Sequence, residues 1–239
     1  LKRYSMIGDG LSHVGFGALS VAMVMNLAPL QVAMPVVVAA AFLLLRISEN
    51  SKIKGDAAIA LISSSSIAIG VIVTSLTSGM NADVYSFLFG SILAMSKSDV
   101  FLSVVLSIIV LLLFIFFYHK IFAVTFDENF ARATGTKVGI YNMLIALLTA
   151  VTIVVGMRIM GSLLISSLII FPALSSMRIF RSFRGVIITS ALISVVCFFW
   201  GVVASYAFDT PAGASIVIVN LLAFVICSLI GLIPRGEKE

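Results

Sequence analysis

The chain has 239 residues, of which 61% are hydrophobic and only 10% charged, and it carries a formal net charge of +5. A water-soluble domain of this length carries about a quarter charged residues, so the composition excludes a soluble enzyme or binding module. The basic excess follows the segments that would flank a membrane, so it gives no reason to expect a nucleic-acid partner.

Apolar runs recur along the whole length, each near the ~20 residues that cross a hydrocarbon core as a helix. The expected fold is all-α: a polytopic transmembrane helix bundle making one transmembrane domain over residues 1–239. Eight spans are predicted, at about 6–27, 30–47, 57–78, 99–118, 138–157, 160–178, 185–206 and 210–231. Segment 83–95 is apolar through Val84, Phe87, Leu88, Phe89, Ile92 and Leu93 but too short to cross. It is predicted as a short helix lying on the bundle or dipping part-way in. Connections are short and a G-x-x-x-x-G-K-[ST] phosphate loop is absent, so this chain is not expected to be an enzyme or to bind nucleotide itself.

Alternating the eight spans puts Lys2, Arg3, Arg46, Lys52, Lys54, Lys120, Arg132, Lys137, Arg178, Arg181, Arg184, Arg235 and Lys238 on one side, against Lys97 and Arg158 on the other. That asymmetry makes the first side cytoplasmic. The chain begins at Leu1, and Lys2-Arg3 look like the cytoplasmic flank of a helix ahead of them, so a further N-terminal span is expected to precede this sequence.

The first span holds Asp9 and His13, four residues apart and therefore on one helix face. Counting from Arg3 at 1.5 Å per residue places them roughly 9 and 15 Å into the membrane. An ionised side chain inside a span costs about 2.5–3.5 kcal/mol on insertion scales, so such groups face a partner or a polar pathway. Carboxylate oxygen with imidazole nitrogen suits Mn²⁺, Fe²⁺ or Zn²⁺, and one of each is too few for a closed site. A two-fold dimer would supply two of each. The plain alternative is an Asp–His hydrogen bond that fixes packing. Gly8, Gly10, Gly15 and Gly17 strip side chains from this span, which permits close helix approach or lines a path.

Ser63 to Ser66 are expected to form a small polar packing face. Between two later spans, Asp127 and Glu128 suit a helix start and Gly135 a helix stop. The reading is a short helix over 127–135 that shows Phe130 and its small alanines to the cytoplasm, either as a docking surface or as a plain amphipathic connector. Pro172 leaves the Leu168 carbonyl without its helical donor, and Ser162, Ser166, Ser167, Ser175 and Ser176 stand near enough to re-satisfy the backbone or border a path. Asp209 or Thr210 is expected to cap the last span, with Pro211 in its first turn. Cys197 and Cys227 sit inside apolar spans and suggest neither a disulfide nor a thiolate site.

Five runs together resemble the permeases of metal-uptake ABC transporters: Gly8-Asp9-Gly10-Leu11-Ser12-His13, Leu88 to Leu93, Asp127 to Gly135, Gly161 to Ala173, and Thr210 to Gly213. The resemblance covers essentially the whole chain, in order, except for the family's preceding N-terminal helix. It implies a homodimeric, multi-pass permease of the bacterial plasma membrane, embedded in the lipid bilayer and carrying two cytosolic ABC ATPase subunits. An extracytoplasmic solute-binding protein would deliver Zn²⁺ or Mn²⁺, less often Fe²⁺, as cargo, with no permanently bound cofactor. The family's acid-and-imidazole pathway maps onto Asp9 and His13. Its ATPase-coupling helix maps onto 127–135, through Asp127, Glu128, Phe130, Ala131, Arg132 and Gly135. A self-contained secondary carrier or channel is the alternative, and a docking helix argues against it.

Overall fold

The computed structural model describes residues 6–50, 55–76 and 97–232, and among them there are helices and no strand. The helices are α1 (Ile7–Val24), α2 (Pro29–Asn50), α3 (Gly55–Ser75), α4 (Lys97–Phe116), α5 (Tyr118–Phe126), α6 (Glu128–Ala133), α7 (Val138–Met160), α8 (Ser162–Ile179), α9 (Phe183–Phe208) and α10 (Ala212–Leu232). Seven of them are long and apolar enough to cross a membrane. An eighth span results if Val100–Phe116 and Tyr118–Phe126, bent by 70° from one another, count as one. Each of the eight predicted spans therefore has its helix. The expected short helix at 83–95, and the Leu88–Leu93 run within it, lie outside the described residues.

Two compact units divide the chain, Leu1–Ser162 and Leu163–Glu239. In the first, α1 packs on α3, α2 and α7. It is the central helix: 72% of it is buried, with Leu11, Phe16 and Leu19 fully enclosed. The close approach has a specific cause. A Cβ on Gly17 would lie 2.7 Å from the Ser66 carbonyl oxygen, and one on Gly70 would lie 2.7 Å from the Phe16 ring, so only glycine lets the α1 and α3 backbones come this near. Of the small polar packing face expected at Ser63–Ser66, Ser63 and Ser66 lie against α1, whereas Ser64 and Ser65 are exposed. On the other side of α1, the Met157 side chain of α7 fills the space left at Gly15.

The bend after α4 was not expected. The sequence has neither proline nor glycine there; Phe117 takes up the turn, and its ring meets Tyr141 of α7 edge-on at 6.0 Å. In α5 the short apolar side Ile121 and Val124 turns inward. Burying it against the rest of the unit gives the chain a reason to turn rather than run straight.

In the second unit α9 and α10 form a hairpin, closed where Gly201 lets the backbone of Ile216 approach. The Ser176 hydroxyl donates to Pro172 O at 3.0 Å and lies 3.1 Å from Val186 O, joining α8 to α9. Pro172 lies within α8 as expected; Ser167 donates to Leu164 O and Ser175 to Phe171 O, so neither of these two hydroxyls serves the Leu168 carbonyl. Asp209 ends α9 in the left-handed conformation (φ 51°), while Thr210 shares a 2.7 Å hydroxyl hydrogen bond with Ser215 at the start of α10. Of the two expected caps, Thr210 is the one that engages the last helix. Cys197 and Cys227 are buried free thiols.

The charge asymmetry makes a direct expectation about orientation. Lys97 and Lys137 are both exposed on the protein surface, at the ends of α4 and α7. Single cysteines at these positions, in a background lacking Cys197 and Cys227, should react differently with an impermeant thiol reagent. Lys97→Cys should label in intact cells and Lys137→Cys only after permeabilisation; the reverse pattern would overturn the topology.

Candidate functional site

Asp9 and His13 both lie on α1, one turn apart, with His13 Nε2 3.7 Å from Asp9 Oδ1. That is too long for a hydrogen bond, so neither group is consumed by the other and both keep lone pairs free. Their side chains are 34% and 25% exposed, on a helix most of whose other residues are buried in the unit. The backbone beneath them is held locally: the Ser12 hydroxyl donates to the Asp9 carbonyl oxygen at 2.7 Å. Among the described residues, no group of three or more His, Cys, Asp or Glu side chains comes together. This chain therefore brings two metal-ligand-type side chains to one place, an oxygen donor and a nitrogen donor.

The second predicted element is α6. The Phe130 N–H donates to Asp127 Oδ1 at 3.0 Å, the N-cap the sequence called for. Arg132 Nη2 donates to Glu128 Oε1 at 3.2 Å across one turn, and Gly135 follows with φ 80°, a value that favours glycine. Phe130 stands out at 65% exposure, with Phe126 beside the cap at 82%.

One expectation fails here. Ala131 does not face outward; it is 1% exposed and packs with Val124 of α5 and Val138 of α7. Of the expected docking residues, Ala131 is therefore the one that fastens the helix to the spans. The physical reason is that a six-residue helix has too little hydrogen bonding to stand alone and must bury one side. Had the Ile121, Val124, Ala131 and Val138 series been read as one apolar strip, the sequence would have shown it.

Seven to eight apolar spans, one of them the central helix of the first unit and bearing a carboxylate and an imidazole, define a multi-pass membrane protein. A model of the ABC 3 transport family matches residues 1–231, and the chain belongs to that family. It is similar to the manganese import system permease protein ScaB of Streptococcus gordonii, 30% identical over 100% of this chain and 86% of the relative. It is also similar to the high-affinity zinc uptake system membrane protein ZnuB of Haemophilus influenzae, 26% identical over 94% of this chain and 86% of the relative. Among solved structures, PsaBC from Streptococcus pneumoniae in complex with Fab superposes with a TM-score of 0.82 at 30% identity, covering 93% of this chain and 80% of that one.

Proposed function

We propose that the chain is the membrane-spanning subunit of an ABC importer that moves Mn²⁺ or Zn²⁺, with Fe²⁺ a lesser candidate, into the bacterial cytoplasm. The observation that carries the reading is an acid and an imidazole with free lone pairs on the central helix of a family member whose relatives include manganese and zinc permeases. Asp9 and His13 are ligands of a cargo in transit. Two ligands per chain leave the ion incompletely held, and a second copy of the chain related by a two-fold axis would bring the number to four. Moderate, four-donor binding suits a conduit, which must release what it captures. Around the site, apolar helices exclude water and strengthen the charge–dipole interactions that strip the ion of its hydration shell.

The energy comes from a separate ATPase. Phe130, projecting from a capped, pinned helix, has the form of an anchor for a cytosolic partner's pocket, with Glu128 and Arg132 as its charged frame. An extracytoplasmic binding protein would present the ion at the opposite face.

Reconstitution tests this reading. The chain is co-expressed with a cytosolic ABC ATPase of the same organism, purified as a complex and placed in liposomes loaded with a metal-responsive dye. ATP-dependent accumulation of Mn²⁺ or Zn²⁺ is expected. Accumulation that proceeds at the same rate without nucleotide would instead establish a self-contained carrier.

A further inference from the structure

Buried hydroxyls in these helices generally bond their own backbone: Ser12 donates to Asp9 O, Ser20 to Phe16 O and Thr74 to Gly70 O. Ser63 on α3 does not. Its residue is 9% exposed, its Oγ is buried, and that oxygen has no hydrogen-bond partner. An orphaned hydroxyl in a membrane interior costs about 1–3 kcal/mol, so its retention calls for a use. The His13 Nδ1 is in the same condition, buried and without a partner.

The packing of α1 on α3 brings Ser63 to Gly10, one turn before His13 on α1. Gly10 lies against Ile59 and Ser63, with Ser63 Oγ 3.2 Å from where a Gly10 Cβ would be, and Gly17 lies against Ser66. The helices thus run in parallel, and Ser63 stands beside the turn of α1 that carries Asp9 and His13. His13 directs Nε2 towards Asp9, which leaves Nδ1 as the nitrogen turned away from the site. An imidazole that offers one nitrogen to a metal ion keeps its proton on the other, and that N–H is held by an acceptor. None of the residues of α1 supplies one.

We infer that Ser63 is the positioning residue of His13: its hydroxyl oxygen receives the hydrogen bond of Nδ1–H through one bridging water molecule, and so fixes the tautomer that leaves Nε2 free for the cargo ion. The inference rests on the reading of Asp9 and His13 as the metal route. Ser63 is not a metal ligand, and it acts on transport through the orientation and basicity of the imidazole. Its own proton remains available for a backbone carbonyl of α3 or for a second water.

The test uses the purified permease–ATPase complex in four forms: parent, Ser63→Ala, Ser63→Thr and His13→Ala. Two quantities are read, ATP-dependent Mn²⁺ uptake and the visible d–d absorption of Co²⁺ bound at the site. Loss of a partner of this kind lowers metal affinity or activity by roughly 10–100-fold. Ser63→Ala should show that loss together with a shifted or weakened Co²⁺ band, and Ser63→Thr, which keeps the hydroxyl, should restore both to within a few-fold. A merely packing role would lower the amount of complex without altering the band. Parental uptake and an unchanged band in Ser63→Ala, or equal loss in the alanine and threonine variants, overturns the inference. Parental uptake by His13→Ala would overturn the underlying reading instead, which keeps the two failures distinguishable.

Discussion

Asp9→Asn and His13→Ala are each expected to reduce metal uptake to background, with the permease still inserted and assembled. The two side chains are the donors this chain contributes at one place, and the described residues offer no third acid, thiol or imidazole to compensate. Asparagine preserves the size of Asp9 but replaces a charged oxygen donor by a neutral carbonyl, a far weaker ligand for a transition-metal ion inside a low-dielectric bundle. Alanine at 13 removes the nitrogen altogether. If two copies share the site, either change strikes twice, once in each copy. Uptake of isotopically enriched Mn²⁺ and Zn²⁺, measured by mass spectrometry alongside membrane abundance and ATPase co-purification, decides the matter. Raising external metal a few-fold should not restore transport, because the lesion lies in the route and not in capture. Near-parental uptake at normal expression would make the pair structural.

Phe130→Ala should separate the permease from its ATPase while leaving the helix bundle intact. The ring is largely exposed, so removing it costs little in the isolated chain, whereas loss of a central aromatic anchor from an interface costs about 2 kcal/mol or more, roughly a thirty-fold weaker complex. Glu128→Arg acts on the same helix differently. It breaks the pairing with Arg132, sets two like charges one turn apart and places a cation where the helix dipole favours an anion. Pull-down of the ATPase from detergent extract, with ATP-driven uptake as the second readout, should show both variants defective. Equal recovery with normal uptake would remove the docking role from α6.

The eight spans could be read directly because a helix crossing lipid needs length and apolarity and little else, both of which are local properties of sequence. Asp127 and Gly135 were legible for a similar reason: a cap and a positive φ are set within a few residues. What escaped was decided at a distance. The turn at Phe117 depends on α5 finding a place to bury Ile121 and Val124, and the inward orientation of Ala131 depends on the same neighbours. Asp9 and His13 could be named from their depth, yet their 3.7 Å separation, which leaves both free, is a matter of side-chain placement. Ser63 was seen only as one of four serines on a packing face, since nothing in Ser63-Ser64-Ser65-Ser66 distinguishes the hydroxyl that lies against α1 from its neighbours.

One helix joins the two parts of the first unit that are proposed to serve transport. Val138, at the start of α7, is clamped with Ala131 of the docking helix, and Met157, near its other end, fills the notch at Gly15, two residues beyond His13. The interval between them is 19 residues of unbroken helix, a rigid rod of about 28 Å. Such a rod is stiff along its axis and pivots as a whole, so it behaves as a lever with a load at each end. A tilt imposed where Ala131 meets it would be carried along the rod to where the methionine meets the glycine. The anchor proposed to receive the partner's power stroke and the turn proposed to hold the ion are, in mechanical terms, the two ends of a single beam.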